Sequence, residues 1–127
     1  MTRFPEWWYL LCRWQFALLL VVYTYMGLTT SSGPHIPQYD DKMMHYLGYL
    51  VAGLSITGAF PGWPWWQRAL VLLAYSGLIE VLQHFLPPRT LSLGDMVANA
   101  LGVGSGLLLI EAFRKTFPRW SHFLFRG

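Results

Sequence analysis

Apolar residues gather into four runs along the chain, at 14–30, 43–60, 69–86 and 96–113, and the ionisable residues that break into them sit near the run ends. About 17–25 apolar residues in a helix span the hydrocarbon of a bilayer. Each run lies near the lower end of that range, so the pattern predicts four membrane-crossing helices with little tilt. Turn formers separate them. Ser31-Ser32-Gly33-Pro34 and Pro37 follow the first run, and Pro87-Pro88 follow the third. Proline lacks the donor a helix needs and restricts the residue before it, so it ends the run. The expected fold class is an all-α membrane protein, a four-transmembrane-helix bundle with short outer loops, forming a single domain over 1–127.

Lysine and arginine positions set the expected orientation. Arg3, Arg13, Arg68, Arg114, Lys115, Arg119 and Arg126 belong to the N-terminus, the second connection and the tail, whereas only Lys42 and Arg89 belong to the first and third connections. Both termini are therefore expected inside. Trp63, Trp65 and Trp66, with Trp120, Phe123 and Phe125, fit interfacial aromatic anchors on that same side. Arg3 and Arg13 ahead of the first run raise a signal peptide, but no small-x-small cleavage site stands out after it, so an uncleaved first helix is expected.

Composition strengthens the membrane reading. Hydrophobic residues make up 54% of the chain and charged residues 12%, about half the charge of an ordinary soluble domain. The pI near 9.2 does not indicate nucleic acid, because the basic residues cluster beside apolar runs instead of covering a polar face. Cys12 is the single cysteine, which rules out an internal disulfide and a cysteine-based metal cage.

Candidate chemistry comes from the polar residues at membrane depth. A charge at the centre of a membrane helix costs roughly 2.5–3.5 kcal/mol on insertion scales, so it marks a site unless packing explains it. Helical spacing puts Asp41, His45 and Gly48/Tyr49 on one face of the second helix, and Glu80, Gln83 and His84 on one face of the third. Asp95, Asn99, Gly102 and Gly106 share a face of the fourth, where the glycines let a neighbouring helix approach. Glu80 precedes the end of its run by six residues, a depth of roughly 9 Å. Asn99 reaches a similar depth, so these groups can meet in one outward-opening pocket. Each also has a structural explanation. Asp41 and Asp95 suit helix N-caps or the positive dipole end. His45 and Asn99 suit interhelical hydrogen bonding, His84 an interfacial position, and Lys42 snorkelling to headgroups. Glu80 is hardest to explain by packing alone. The second and fourth helices also begin alike, Asp41-x-x-x-His45-x-x-Gly48 against Asp95-x-x-x-Asn99-x-x-Gly102, as two parallel hairpins related along the membrane normal would.

Taken together, Asp41-Lys42-x-x-His45-x-x-x-Tyr49, Glu80-x-x-Gln83, Arg89 and Asp95-x-x-x-Asn99-x-x-Gly102 resemble the VanZ-like family of small bacterial membrane proteins. The resemblance covers the second to fourth helices. It implies a multi-pass protein of the bacterial inner membrane, in a family whose namesake is linked to resistance to the glycopeptide teicoplanin and whose members mostly lack an established activity. Three functions remain open. One is an outward pocket that binds or processes an anionic lipid-linked envelope component. There Asp41, Lys42, His45, Glu80, Gln83, Arg89, Asp95 and Asn99 would line the site, and His45, Glu80 and Asp95 are the catalytic candidates. Another is a non-enzymatic adaptor whose polar residues lock the bundle. The third is a metal-dependent hydrolase using Asp41, His45 and Glu80, with His84 or Asp95 as a further ligand. No helix carries a His-Glu-x-x-His motif, and Lys42 and Arg89 would oppose a cation, so no metal and no cofactor is expected. Ser92 sits in no recognisable nucleophile setting. The expected partners are the bilayer and such an envelope component, not nucleic acid. A transport pathway through four short helices would require an oligomer.

Overall fold

A computed structural model describes residues 6–28, 38–85 and 93–125. Five helices account for nearly all of them: α1 (Glu6–Leu28), α2 (Gln38–Ala59), α3 (Trp65–His84), α4 (Leu93–Thr116) and α5 (Pro118–Phe125). There is no strand among the described residues. Four of the helices overlap the four apolar runs; each begins ahead of its run, and α4 contains its run whole. The short α5 carries the tail's Trp120, Phe123 and Phe125, with Phe117 and Pro118 marking the break before it.

Side-chain pairings fix the relative directions of the helices. Lys42 meets Asp95, His45 meets Asn99 and Tyr46 meets Ser105, so α2 and α4 run parallel. Asn99 meets Ser76 while Arg68 meets Glu111, so α3 runs against α4. On α1, Tyr23 reaches Gly48 and Gln15 reaches Ser55, an antiparallel pairing with α2. One end of the bundle therefore carries His45, Glu80 and Asp95, and the other carries Arg13, Arg68, Glu111 and Arg114.

The interior and exterior divide opposite to those of a soluble protein. Leu10, Leu18, Val21, Leu47, Val51, Leu70, Leu78, Leu101 and Leu108 are exposed, while Thr57, Arg68, Ser76, Glu80, Gln83 and Asn99 are buried. Soluble monomers rarely expose contiguous apolar surface on this scale. Both α1 and α4 are long and apolar enough to cross a membrane. In α2 and α3 the polar residues dilute the mean hydropathy, yet Thr57, Arg68, Ser76, Glu80 and Gln83 are buried and leave an apolar stripe outside.

The closest helix pair is α2 with α4, and glycine makes it possible. A Cβ at Gly102 would run into the carbonyl oxygen of Tyr46, and one at Gly106 would lie 2.5 Å from that of Leu50. Gly53 faces Gly106 from the other side. The apolar core below this contact is built from Phe16, Ala52, Ile56, Leu72, Val103 and Leu107. At the far end of α2, Arg13 Nε donates to the Ala59 carbonyl at 3.1 Å and its guanidinium lies 5.3 Å from the Phe60 ring centre. A cation there complements the negative end of the helix dipole. Phe60 then stacks on Trp63 at 4.3 Å to shape the turn into α3.

Candidate functional site

The close approach of α2 to α4 brings the polar faces of three helices together at one end of the bundle. Asn99 is the hinge of the cluster, 2% exposed. Its Oδ1 lies 3.0 Å from His45 Nδ1, and its Nδ2 donates to Ser76 Oγ at 2.8 Å. With the amide in that orientation, His45 donates from Nδ1–H to Asn99 Oδ1. That Nε2 sits 3.6 Å from Asp95 Oδ2, while Asp95 Oδ1 sits 3.7 Å from Lys42 Nζ. The two oxygens of Asp95 thus serve different neighbours. Glu80, 1% exposed, completes the group: His45, Glu80 and Asp95 each offer a ligand atom, and these atoms lie within 4.8 Å of one another.

His45, Glu80, Gln83 and Asn99 face a cavity of about 460 Å³, whose other walls include Tyr23, Met26, Met44, Tyr49 and Ile79. Gln83 donates to the Gly27 carbonyl at 2.7 Å and so ties α3 to the end of α1. Gly27 keeps this contact close, since a Cβ there would approach the Ile79 side chain at 3.1 Å. Lys42 stands beside this group, its side chain 40% exposed. A second cavity, of about 530 Å³, lies between α3 and α4 and is apolar except for Glu111. It contains none of the His45 group.

Most of the residues expected at the site are brought together. Lys42, His45, Glu80, Asp95 and Asn99 form the cluster, and Gln83 lines its cavity. Helical spacing had also put His84 with Glu80, but His84 is exposed and packs edge-on against Phe85. The inward stripe of α3 runs through Ser76, Ile79, Glu80 and Gln83, and His84 lies past its edge. Asp95 is the third residue of α4, not its cap, and there a carboxylate still benefits from the helix dipole. Asp41 belongs to the first turn of α2, its side chain outside those described. Arg89 lies outside the described residues.

Asn99→Ala would remove two interhelical hydrogen bonds. Such bonds average roughly 0.6 kcal/mol each in a membrane bundle, so the loss is expected to be about 1 kcal/mol. Thermal unfolding in detergent measures it.

One buried group escaped the sequence reading. Arg68 looked like a loop residue marking topology, yet it is the fourth residue of α3 and 2% exposed. Its Nη1 donates to Thr57 Oγ1 at 2.6 Å, and its Nη2 lies 4.0 Å from Glu111, which also meets Arg114 at 3.7 Å. The available signal was Glu111, a lone acid at the same end of α4.

A small all-helical chain with an apolar exterior and ionisable groups gathered inside is built as a membrane protein. A family model described as VanZ/LLP1 matches residues 7–114, and the chain belongs to that family. No curated protein and no solved structure matches it.

Proposed function

We propose that the four long helices cross the bacterial inner membrane with both termini in the cytoplasm, and that the His45 cluster is an outward-facing pocket for the anionic headgroup of a lipid-linked envelope component. The orientation follows from charge. Arg13, Arg114, Lys115 and Arg119 lie toward one end of the bundle and Lys42 at the other, and lysine and arginine favour the cytoplasmic side.

The observation that carries the reading is a single cavity with two chemistries. Tyr23, Met26 and Ile79 give it an apolar wall, while His45, Glu80 and Asn99 give it a polar floor. An amphiphile whose chain lies along the apolar wall and whose headgroup reaches the floor matches both. Lys42 is placed to donate a charge-assisted hydrogen bond to phosphate or carboxylate, with Arg89 a second cation next along the chain after α3. His45 and Glu80 are the groups able to take up or release a proton there, and Asn99 holds the His45 ring in place. Glycopeptide susceptibility is the cellular readout suggested by the family's namesake, which is linked to teicoplanin resistance.

The test is deletion followed by complementation with wild type, His45→Gln and Glu80→Gln, reading envelope-lipid composition and glycopeptide susceptibility. Both variants are expected to reach wild-type abundance in the membrane and to fail to complement. An adaptor role, which the Ser76–Asn99–His45 hydrogen bonds across three helices would also serve, gives a different result: abundance and thermal stability fall together with function. Full complementation by both variants overturns the pocket.

A further inference from the structure

We infer that His45 Nε2, a carboxylate oxygen of Glu80 and Oδ2 of Asp95 hold a divalent cation of the zinc or manganese class, which ligates the anionic headgroup. The inference rests on the pocket proposed above and adds the ion that makes it attractive to an anion. Zinc binds nitrogen and oxygen ligands at roughly 2.0–2.2 Å, so two ligands of one tetrahedral ion lie roughly 3.3–3.6 Å apart. His45 Nε2 and Asp95 Oδ2 are 3.6 Å apart, too long for a hydrogen bond and close to that ligand edge. The third ligand atom falls within the same 4.8 Å sphere of separations, so a small inward shift closes the set.

The surroundings suit a metal-bound histidine. A ligating imidazole normally gives its other N–H to a carbonyl or carboxylate, which fixes the tautomer and the ring plane. Asn99 Oδ1 does this at His45 Nδ1 and is itself held through Ser76. Of the two cations expected to oppose a metal, Lys42 faces Asp95 Oδ1, not the Oδ2 that faces His45, and Arg89 lies outside the described residues. The half-exposed Lys42 ammonium can reach the outer oxygens of an anion bound to the metal. An imidazole with two carboxylates is a borderline-hard donor set, which suits zinc or manganese better than a thiophilic ion. Three protein ligands leave at least one coordination position for a headgroup oxygen. His45 and Glu80 both face the cavity, so that position is reached from it.

The experiment uses the full chain purified in detergent. Calorimetric titration with zinc and with manganese is expected to give one site per chain, and His45→Gln and Asp95→Asn should each weaken it by at least about tenfold, the effect of losing 1.4 kcal/mol. Cobalt titration supplies an optical signature, with ligand-field bands that appear in the wild type and vanish in His45→Gln. Thermal unfolding of the metal-free proteins separates a lost ligand from a lost fold. No stoichiometric site, or a site that both folded variants retain unchanged, overturns the inference. Dodecyl phosphate and inorganic phosphate are then titrated with metal and with chelator. Binding of dodecyl phosphate that needs the metal supports the ion's role. Equal binding in chelator refutes that role and leaves the pocket standing. A confirmed metal site with no dodecyl phosphate binding refutes the pocket reading instead, and equal binding of inorganic phosphate assigns the ion to a free anion rather than a lipid.

Discussion

Gly102→Ala is expected to destabilise the detergent-solubilised protein by about 2 kcal/mol or more, a large loss for one methyl group, since overpacking a tight contact costs roughly 1–3 kcal/mol. The obstacle is backbone. The added Cβ meets the Tyr46 carbonyl, with the Leu50 nitrogen 3.1 Å away. A flexible side chain could swing clear, but a helix backbone cannot, so α2 must move as a body away from α4. That displacement would also separate His45 from Asn99, and Lys42 from Asp95. Loss of site function should therefore accompany loss of stability. Gly106→Ala should behave similarly. Gly77→Ala and Gly104→Ala are the controls, because a Cβ at either meets nothing within 4 Å. They should be neutral, or more stable by up to about 1 kcal/mol, the helix-propensity advantage of alanine. Thermal unfolding of the four variants side by side measures the contrast.

Arg68→Ala is expected to cost about 2–5 kcal/mol, the range for emptying a large buried side chain. The cause is packing more than charge. Arg68 fills the space between α2 and α3 and donates to Thr57, but its Nε has no hydrogen-bond partner among the described residues. Glu111 is 43% exposed and 4.0 Å away, so water screens that pair and little stability rests on it. Replacing a buried charge by an apolar side chain of similar length is often tolerated. Arg68→Met should therefore recover more than half of the loss seen with alanine. If methionine is as damaging as alanine, the ionic and hydrogen-bonding contacts matter more than the volume.

Most of the site was legible in the sequence because hydrocarbon makes polar residues conspicuous. Lys42, His45, Glu80, Asp95 and Asn99 interrupt or open apolar runs, and the 3.6-residue period assigns all but Lys42 to a face. Gly102 and Gly106 marked the face of α4 that a neighbour would approach, and that neighbour is α2. Less legible were features set by contacts between helices. Spacing alone could not decide whether the inward stripe of α3 included His84, because Gln83 and His84 flank the same line, and packing against Gly27 selects Gln83. Arg68 was misplaced because an arginine after a tryptophan-rich turn looks like a topology signal. Its burial depends on Thr57, eleven residues earlier across the turn, which no periodicity within one helix reveals. The division of the Asp95 oxygens between Lys42 and His45 is also a tertiary fact, since it depends on how α2 packs against α4.

The central claim is that the cavity at the His45 end holds a phosphate-bearing or carboxylate-bearing lipid. Mass spectrometry of the lipids retained by the purified protein tests it most directly, comparing wild type with Glu80→Gln at equal folded amounts. Wild type is expected to retain an anionic lipid-linked species at close to one per chain, and Glu80→Gln to lose it by about tenfold or more, equivalent to 1.4 kcal/mol of binding. Equal retention by both proteins, or none by wild type, would contradict the claim.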